Sequence, residues 1–301
     1  MRLAVEHRTT YRYAAPASLC YNLAHLTPRR TDRQQVLECS LEIDPTPDDR
    51  RAHVDEYGNA VEFFAIQRPH DTLTVLASSV VEVAPNDISP AAQRPWEVHH
   101  DAVVTPGPER ELLLESPNVV LLDEVHRYAA ASFTPGRSLL EALTDLTDRL
   151  HRDIRFEPGT TTVTTPISEV LERRRGVCQD IAHLGVACLR SHGLAARYVS
   201  GYLETVPPPG ESKLVGADAT HAWLAVRLAD GSWLELDPTN GIVAPEHHVV
   251  VAWGRDYGDV VPVKGVVMSA EAEMELTVAV DVTRIADEEP AAISSTGVVG
   301  P

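Results

Sequence analysis

Arg173-Arg174-Arg175-Gly176-Val177-Cys178-Gln179-Asp180-Ile181-Ala182-His183 is the stretch that decides the fold. It sets a cysteine at the head of an apolar helical run that continues from about Gly176 to Ser191, with Gly193 placed as C-terminal cap. Three arginines and the amides of a helix start both favour thiolate over thiol, the environment of a nucleophilic cysteine. The ordinary fate of a free cysteine is a small buried hydrophobe. Cys188, between Ala187 and Leu189, reads that way. It lies ten residues on, about 15 Å along the axis, too far for a disulfide within an intact helix.

Downstream, Thr220 to Leu228 and Trp233 to Pro238 read as two strands around Ala229-Asp230-Gly231. Side chains alternate between faces, so His221 and Trp223 share one face and Trp233, Glu235 and Asp237 share another. Those faces coincide only if paired residue numbers have an even sum. A three-residue loop does this by pairing Leu228 with Ser232, with Gly231 in the left-handed position. Asp237 then opposes Trp223, with His221 diagonal to it. A two-residue loop would separate His221 and Asp237. Taken singly, each has a structural use, Asp237 before Pro238 as a turn former. Together, a helix-start cysteine, a strand histidine and a strand-end aspartate order a nucleophile, a base and an orienting acid.

Further upstream, residues 1 to 84 alternate short β-branched runs such as Val36 to Ile43 with turns such as Tyr57-Gly58-Asn59, which predicts an all-β domain. Prolines 85, 90, 95, 106, 108 and 117 predict a linker over 85–117. Ser138 caps an i, i+3/i+4 leucine stripe from Leu139 to Leu150, a core-facing helix. Residues 118–285 are assigned to the domain carrying Cys178, with strands at 195–203 and near 272–284, and 286–301 to a frayed tail.

Gly176-Val177-Cys178-Gln179-Asp180, His221-Ala222-Trp223 and Asp237-Pro238-Thr239-Asn240 resemble the three signature segments of the transglutaminase-like superfamily. Ala195 to Tyr202 resembles the strand after that family's nucleophile helix, and Gly254 to Val260 a segment of its bacterial branch. His7 to Tyr11, Thr27-Pro28-Arg29 and Asp55 to Asn59 are similar to that branch's β-rich accessory domain. The resemblance spans residues 1 to 285 in order. It implies an α+β, papain-like core, a nucleophile helix packed on an antiparallel sheet, behind the all-β domain. It implies Cys178 as nucleophile, His221 as base and Asp237 as its orienting partner. The reaction implied is acyl transfer on an amide or isopeptide bond through a thioester, with hydrolysis expected ahead of cross-linking. A peptide ligase or a non-catalytic binding protein on the same fold is the alternative.

The 301 residues carry 44 acidic and 26 basic side chains, a net charge of −18. Only Lys213 and Lys264 are lysines, so no polybasic tract exists to bind nucleic acid or an anionic membrane. The expected partner is a peptide or protein amide substrate. The amino terminus lacks a signal-peptide pattern and no run of ~18 apolar residues occurs, so a cytoplasmic location is expected. Cys20, Cys39, Cys178 and Cys188 show no metal-site spacing. His99-His100 and His247-His248 lack a helical i, i+4 partner, so neither a metal nor any other cofactor is expected. Packing suffices for His183 and His192. Trp223, sharing the His221 face, could line the cleft or fill the core. The polar loop from Pro207 to Ala217 is expected to form a mobile cleft edge.

Overall fold

Two alternations of the chain build two antiparallel sheets, and one helix joins them into a shared core. In the computed structural model, residues 1–101, 108–204, 220–243, 247–271 and 273–285 are described. The expectations for the loop from Pro207 to Ala217 and for the tail at 286–301 lie outside them.

The first sheet is organised by β1 (Arg2–Ala24), joined by β2 (Gln34–Asp44), β3 (Asp49–Val54), β4 (Ala60–Ile66) and β5 (His70–Val83). Alternate residues Leu3 and Val5 are buried, the period-2 pattern of a half-covered strand. The amino-terminal half of β1 pairs with β5, and its carboxyl-terminal half with β4. The outer strands are β2 on β5 and β3 on β4.

Residues 85–117, expected as a linker, carry local structure of their own. They contain 3-10 turns at Pro90–Gln93 and Pro108–Leu113 and a short helix, α1 (Glu97–Asp101). Ala92, His99 and Leu112 along them are buried. Then come α2 (Asp123–Ala130), α3 (Leu139–Asp153), β6 (Arg155–Phe156), α4 (Ile167–Arg173), β7 (Arg175–Gly176) and α5 (Cys178–Ser191). Ser138 caps α3 as its sequence predicts, its hydroxyl accepting from Glu141 N at 3.3 Å. Leu139, Leu143, Leu146 and Leu150 face the core.

The second sheet contains β8 (Ala196–Leu203), β9 (Thr220–Arg227), β10 (Trp233–Asp237), β11 (Ile242–Val243) and β12 (His248–Gly254), in the order β11-β10-β9-β8-β12. Helix α5 packs on it so closely that a Cβ on Gly185 would sit 2.4 Å from Leu224. The last two strands, β13 (Val263–Ser269) and β14 (Met274–Ile285), return to the first sheet and pair with β1. Residues 263–285, grouped by sequence with the carboxyl-terminal domain, thus complete the amino-terminal sheet. Periodicity identifies a strand but carries no information on which sheet receives it.

One apolar core spans both sheets, with Leu3, Val5, Val81, Val280 and Val282 alongside Ile181, Leu184, Val249 and Val251. Polar side chains key the junction. Gln34 Oε1 accepts from Val250 N at 2.8 Å and its Nε2 donates to Val250 O at 2.7 Å. Asn59 makes the same pair with Trp253, at 3.0 and 2.9 Å. Two amide side chains therefore satisfy the outer backbone of β12, an edge strand that would otherwise be open. Buried His7 on β1 bonds the Tyr202 hydroxyl of β8 at 2.9 Å.

Candidate active site

The site is assembled where the head of α5 meets one end of the second sheet. Cys178 is the first residue of α5. Asp180 clasps the turn before it, one carboxylate oxygen accepting from Val177 N at 2.8 Å and from Thr161 Oγ1 at 2.7 Å. Asp180 is the third helical residue reaching back to the residue before the helix, the reciprocal half of a capping box. Gly176 is required there, since a Cβ would meet Asp180 at 2.9 Å. Cys178 is half-buried, whereas Cys188 is sealed in the core. Burial alone pushes the Cys188 thiol up, to about 12.

The hairpin takes the even-sum register. Leu228 and Ser232 close the loop, and Gly231 adopts φ +90°. Glu235 pairs with Ala225 and Leu236 with Leu224. His221 and Asp237 consequently share a face, and His221 Nε2 lies 2.8 Å from Asp237 Oδ2. With Nε2 engaged, Nδ1 is the nitrogen left for Cys178, which helps hold the charge on the His221 ring. The structure therefore brings Cys178, His221 and Asp237 together in that order.

Burial opposes a charge on His221, but hydrogen bonds to Asp237 and Cys178, and the charges of both, outweigh it and hold the ring up at about 10. Asp237 is fully buried. Burial would raise its carboxyl, yet bonds from His221 and His248 drive it well below the usual carboxylate range. Its Oδ1 accepts from Thr239 N at 3.0 Å and Asn240 N at 3.2 Å. Its Oδ2 accepts, besides His221, from His248 Nε2 at 2.9 Å and Asn240 Nδ2 at 2.6 Å.

Trp223 is buried and spans the sheet face beside the pair. Its indole is stacked on His221 with centroids 6.0 Å apart, and its Nε1 donates to Glu235 Oε2 at 3.1 Å. Gly201, paired with His221, makes room for it: a Cβ there would lie 2.7 Å from the indole and 1.9 Å from Val249 O.

Three participants escape a reading of the sequence: Asp180, Asn240 and His248. Asp180 carries a signal, an acid three residues after the residue preceding a helix. Asn240 follows Asp237 within an Asx-type turn. His248 carries none, because it sits on β12, outside the hairpin. The two dipeptides diverge in the same way. His247 faces outward, bonding Glu204 at 3.1 Å and Arg284 at 2.8 Å, while His248 turns inward. His99 is buried and accepts from Ala229 N at 2.9 Å, steadying the hairpin turn. His183 accepts from Tyr257 N at 3.0 Å, and His192 stacks on His126 and Phe133.

Donor atoms of His221, Asp237 and His248 lie within 4.8 Å of one another, a spacing that could also hold a cation. Oδ2 already takes three donors at 2.6 to 2.9 Å, which are hydrogen-bond lengths, and the set fits a shared proton network.

Comparison with known proteins agrees with this architecture. Residues 3–82 match the bacterial transglutaminase-like N-terminal region, and residues 127–238 match the transglutaminase-like superfamily. The chain belongs to the transglutaminase-like superfamily. It is 43% identical over 289 residues to an uncharacterized protein of Mycobacterium tuberculosis, covering 93% of this chain and 92% of the relative. A Mycobacterium leprae protein, also uncharacterized, is 35% identical over 291 residues, 95% of this chain and 99% of the relative. A crystal structure of a candidate cysteine protease from Cytophaga hutchinsonii superposes with a TM-score of 0.73 at 21% identity, covering 95% of this chain and 92% of the other. Among the described residues no helix is long and apolar enough to cross a membrane.

Proposed function

We propose that the chain is a cysteine-dependent acyl-transfer enzyme acting on amide or isopeptide bonds of a peptide or protein, with Cys178, His221 and Asp237 as its reacting and orienting groups. The observation that carries this is His221 bonded through Nε2 to Asp237 Oδ2 at 2.8 Å while Cys178, at the head of α5, acts on the same ring. His221 Nδ1 takes the thiol proton, and the thiolate attacks the carbonyl carbon. The Cys178 backbone N–H, at the helix head, supports the developing oxyanion together with a second donor. Collapse breaks the C–N bond, His221 returns its proton to the leaving nitrogen, and a thioester remains. Asp237 fixes the Nε2–H tautomer and the ring's orientation throughout.

Water resolving the thioester gives hydrolysis, the outcome we favour. A primary amine would give transamidation. The unpaired state of all four cysteines supports a reducing, cytoplasmic setting. The test is Cys178 alkylation against pH in the native protein and in His221→Ala, with the site read by mass spectrometry. It is followed by turnover of a carboxamide peptide with and without a primary amine. Fast labelling below pH 7 that His221→Ala abolishes is the expected result. Free acid as product in the presence of amine marks hydrolysis. Slow labelling indifferent to His221 overturns the enzyme reading in favour of a binding protein.

A further inference from the structure

The hydrogen bonding of His248 exceeds what the Cys178–His221–Asp237 reading uses. The residue is 2% exposed. Its Nε2 meets Asp237 Oδ2 at 2.9 Å, the same oxygen that takes His221 Nε2 at 2.8 Å. Its Nδ1 is sealed and has no hydrogen-bond partner among the described residues. The Asp237 carboxylate accepts, so the His248 hydrogen belongs on Nε2. A sealed, unpartnered ring nitrogen carries a desolvation penalty, and a plain core residue would avoid it. Trp223 fixes the ring edge-on, with centroids 4.9 Å apart and an interplanar angle of 82°. It stands 5.6 Å from the His221 ring.

Resting on the reading above, we infer that His248 is a positioning residue that draws on the Asp237 oxygen used by His221, and so limits how tightly the carboxylate holds the His221 proton. A base that takes a proton from Cys178 must also give one up: the His221 Nδ1–H bond breaks, an N–H bond forms on the leaving amine, and the C–N pair goes to that nitrogen. An Asp237 relieved of the His248 bond, keeping only Asn240 and the Thr239 amide beside His221, would favour the charged ring more strongly and slow that return, because hydrogen bonds to a carboxylate lower its basicity. Among the described residues, the charged and titratable groups around this network are few. Cys178 faces His221 from α5, with Asp180 and Tyr198 near Cys178. Glu235 is bonded to the far side of Trp223. His247 pairs outward with Glu204 and Arg284.

The test uses the full chain with His248→Phe and His248→Gln, assayed on a peptide amide and on an activated ester carrying the same acyl group. The ester's leaving group needs no proton. In His248→Phe, amide turnover is expected to fall about tenfold. Ester turnover and Cys178 alkylation on its pH plateau should stay within about twofold, with the acid limb of alkylation moved to lower pH. His248→Gln, whose amide can donate to Oδ2, is expected to recover most of the amide rate. Equal losses on amide and ester, an unchanged amide rate, or no recovery with glutamine overturns the inference. Thermal unfolding of both variants separates misfolding from the selective loss. If Cys178 labelling in the native protein is slow and indifferent to His221→Ala, the enzyme reading itself fails, a result distinct from all of these.

Discussion

Replacing Asp237 by asparagine removes one charge while keeping the shape of a side chain that five donors surround. Asp237→Ala would be less informative, because it strands His248, Asn240 and the Thr239 amide together. The size of the effect follows from His221. Its rise from 6.5 to about 10 is equivalent to roughly 5 kcal/mol in favour of the charged ring, sustained against burial by Asp237 and Cys178. Without the carboxylate, only Cys178 is left to oppose burial, and the charged ring loses most of its support. An asparagine amide turned toward Nε2 also forces the ring hydrogen onto Nδ1, the nitrogen that has to receive the thiol proton. An unassisted thiol with the usual pKa of ~8.5 is about 0.3% ionised at pH 6. Cys178 alkylation at pH 6 is therefore expected to fall by about two orders of magnitude or more in Asp237→Asn, with the gap closing above pH 9. The assay is stopped-flow or quenched alkylation from pH 5 to 9, with Cys39 as the internal exposed thiol. Labelling of Cys178 in the variant within threefold of native across that range would refute the argument that Asp237 acts through His221.

The remaining predictions address what holds the site in place. Asp180→Ala releases Val177 N and Thr161 from the turn before Cys178; a loss of about 1–3 kcal/mol in chemical denaturation is expected, with slower Cys178 labelling. Gly201→Ala drives a methyl into Val249 O and the Trp223 ring, and backbone on one side leaves no room to relax; the melting temperature should drop sharply and activity be lost. Burial lowers buried His7 to about 4. Between pH 6.5 and 4 the unfolded chain therefore binds the extra proton, and up to about 3 kcal/mol of stability is lost as pH falls through that window. In His7→Gln the acid side of the stability curve should flatten, as followed by urea unfolding at pH 4 to 8.

How much of this was legible in the sequence depended on the range over which each constraint acts. The Cys178 helix, the hairpin and the His221–Asp237 alignment rest on helix-start chemistry and on strand parity within 17 residues, His221 to Asp237, so the even-sum register could be written down in advance as one of two and is the one found. Which sheet receives 263–285 depends on hydrogen bonds to β1, some 250 residues away, and a strand pattern reads alike for any recipient. His248 fails for a related reason. From β12 at the edge of the second sheet it reaches an oxygen on β10, with β8 and β9 between them. That reach exists because position 201, between His221 on one side and β12 on the other, carries no side chain, and because Trp223 fills the vacated space and fixes the His248 ring. A glycine in a strand reads only as a weak point or a bulge until the strands beside it are known. The helix head and the hairpin were therefore the readable parts of the site, while His248 reached it only through register across the sheet.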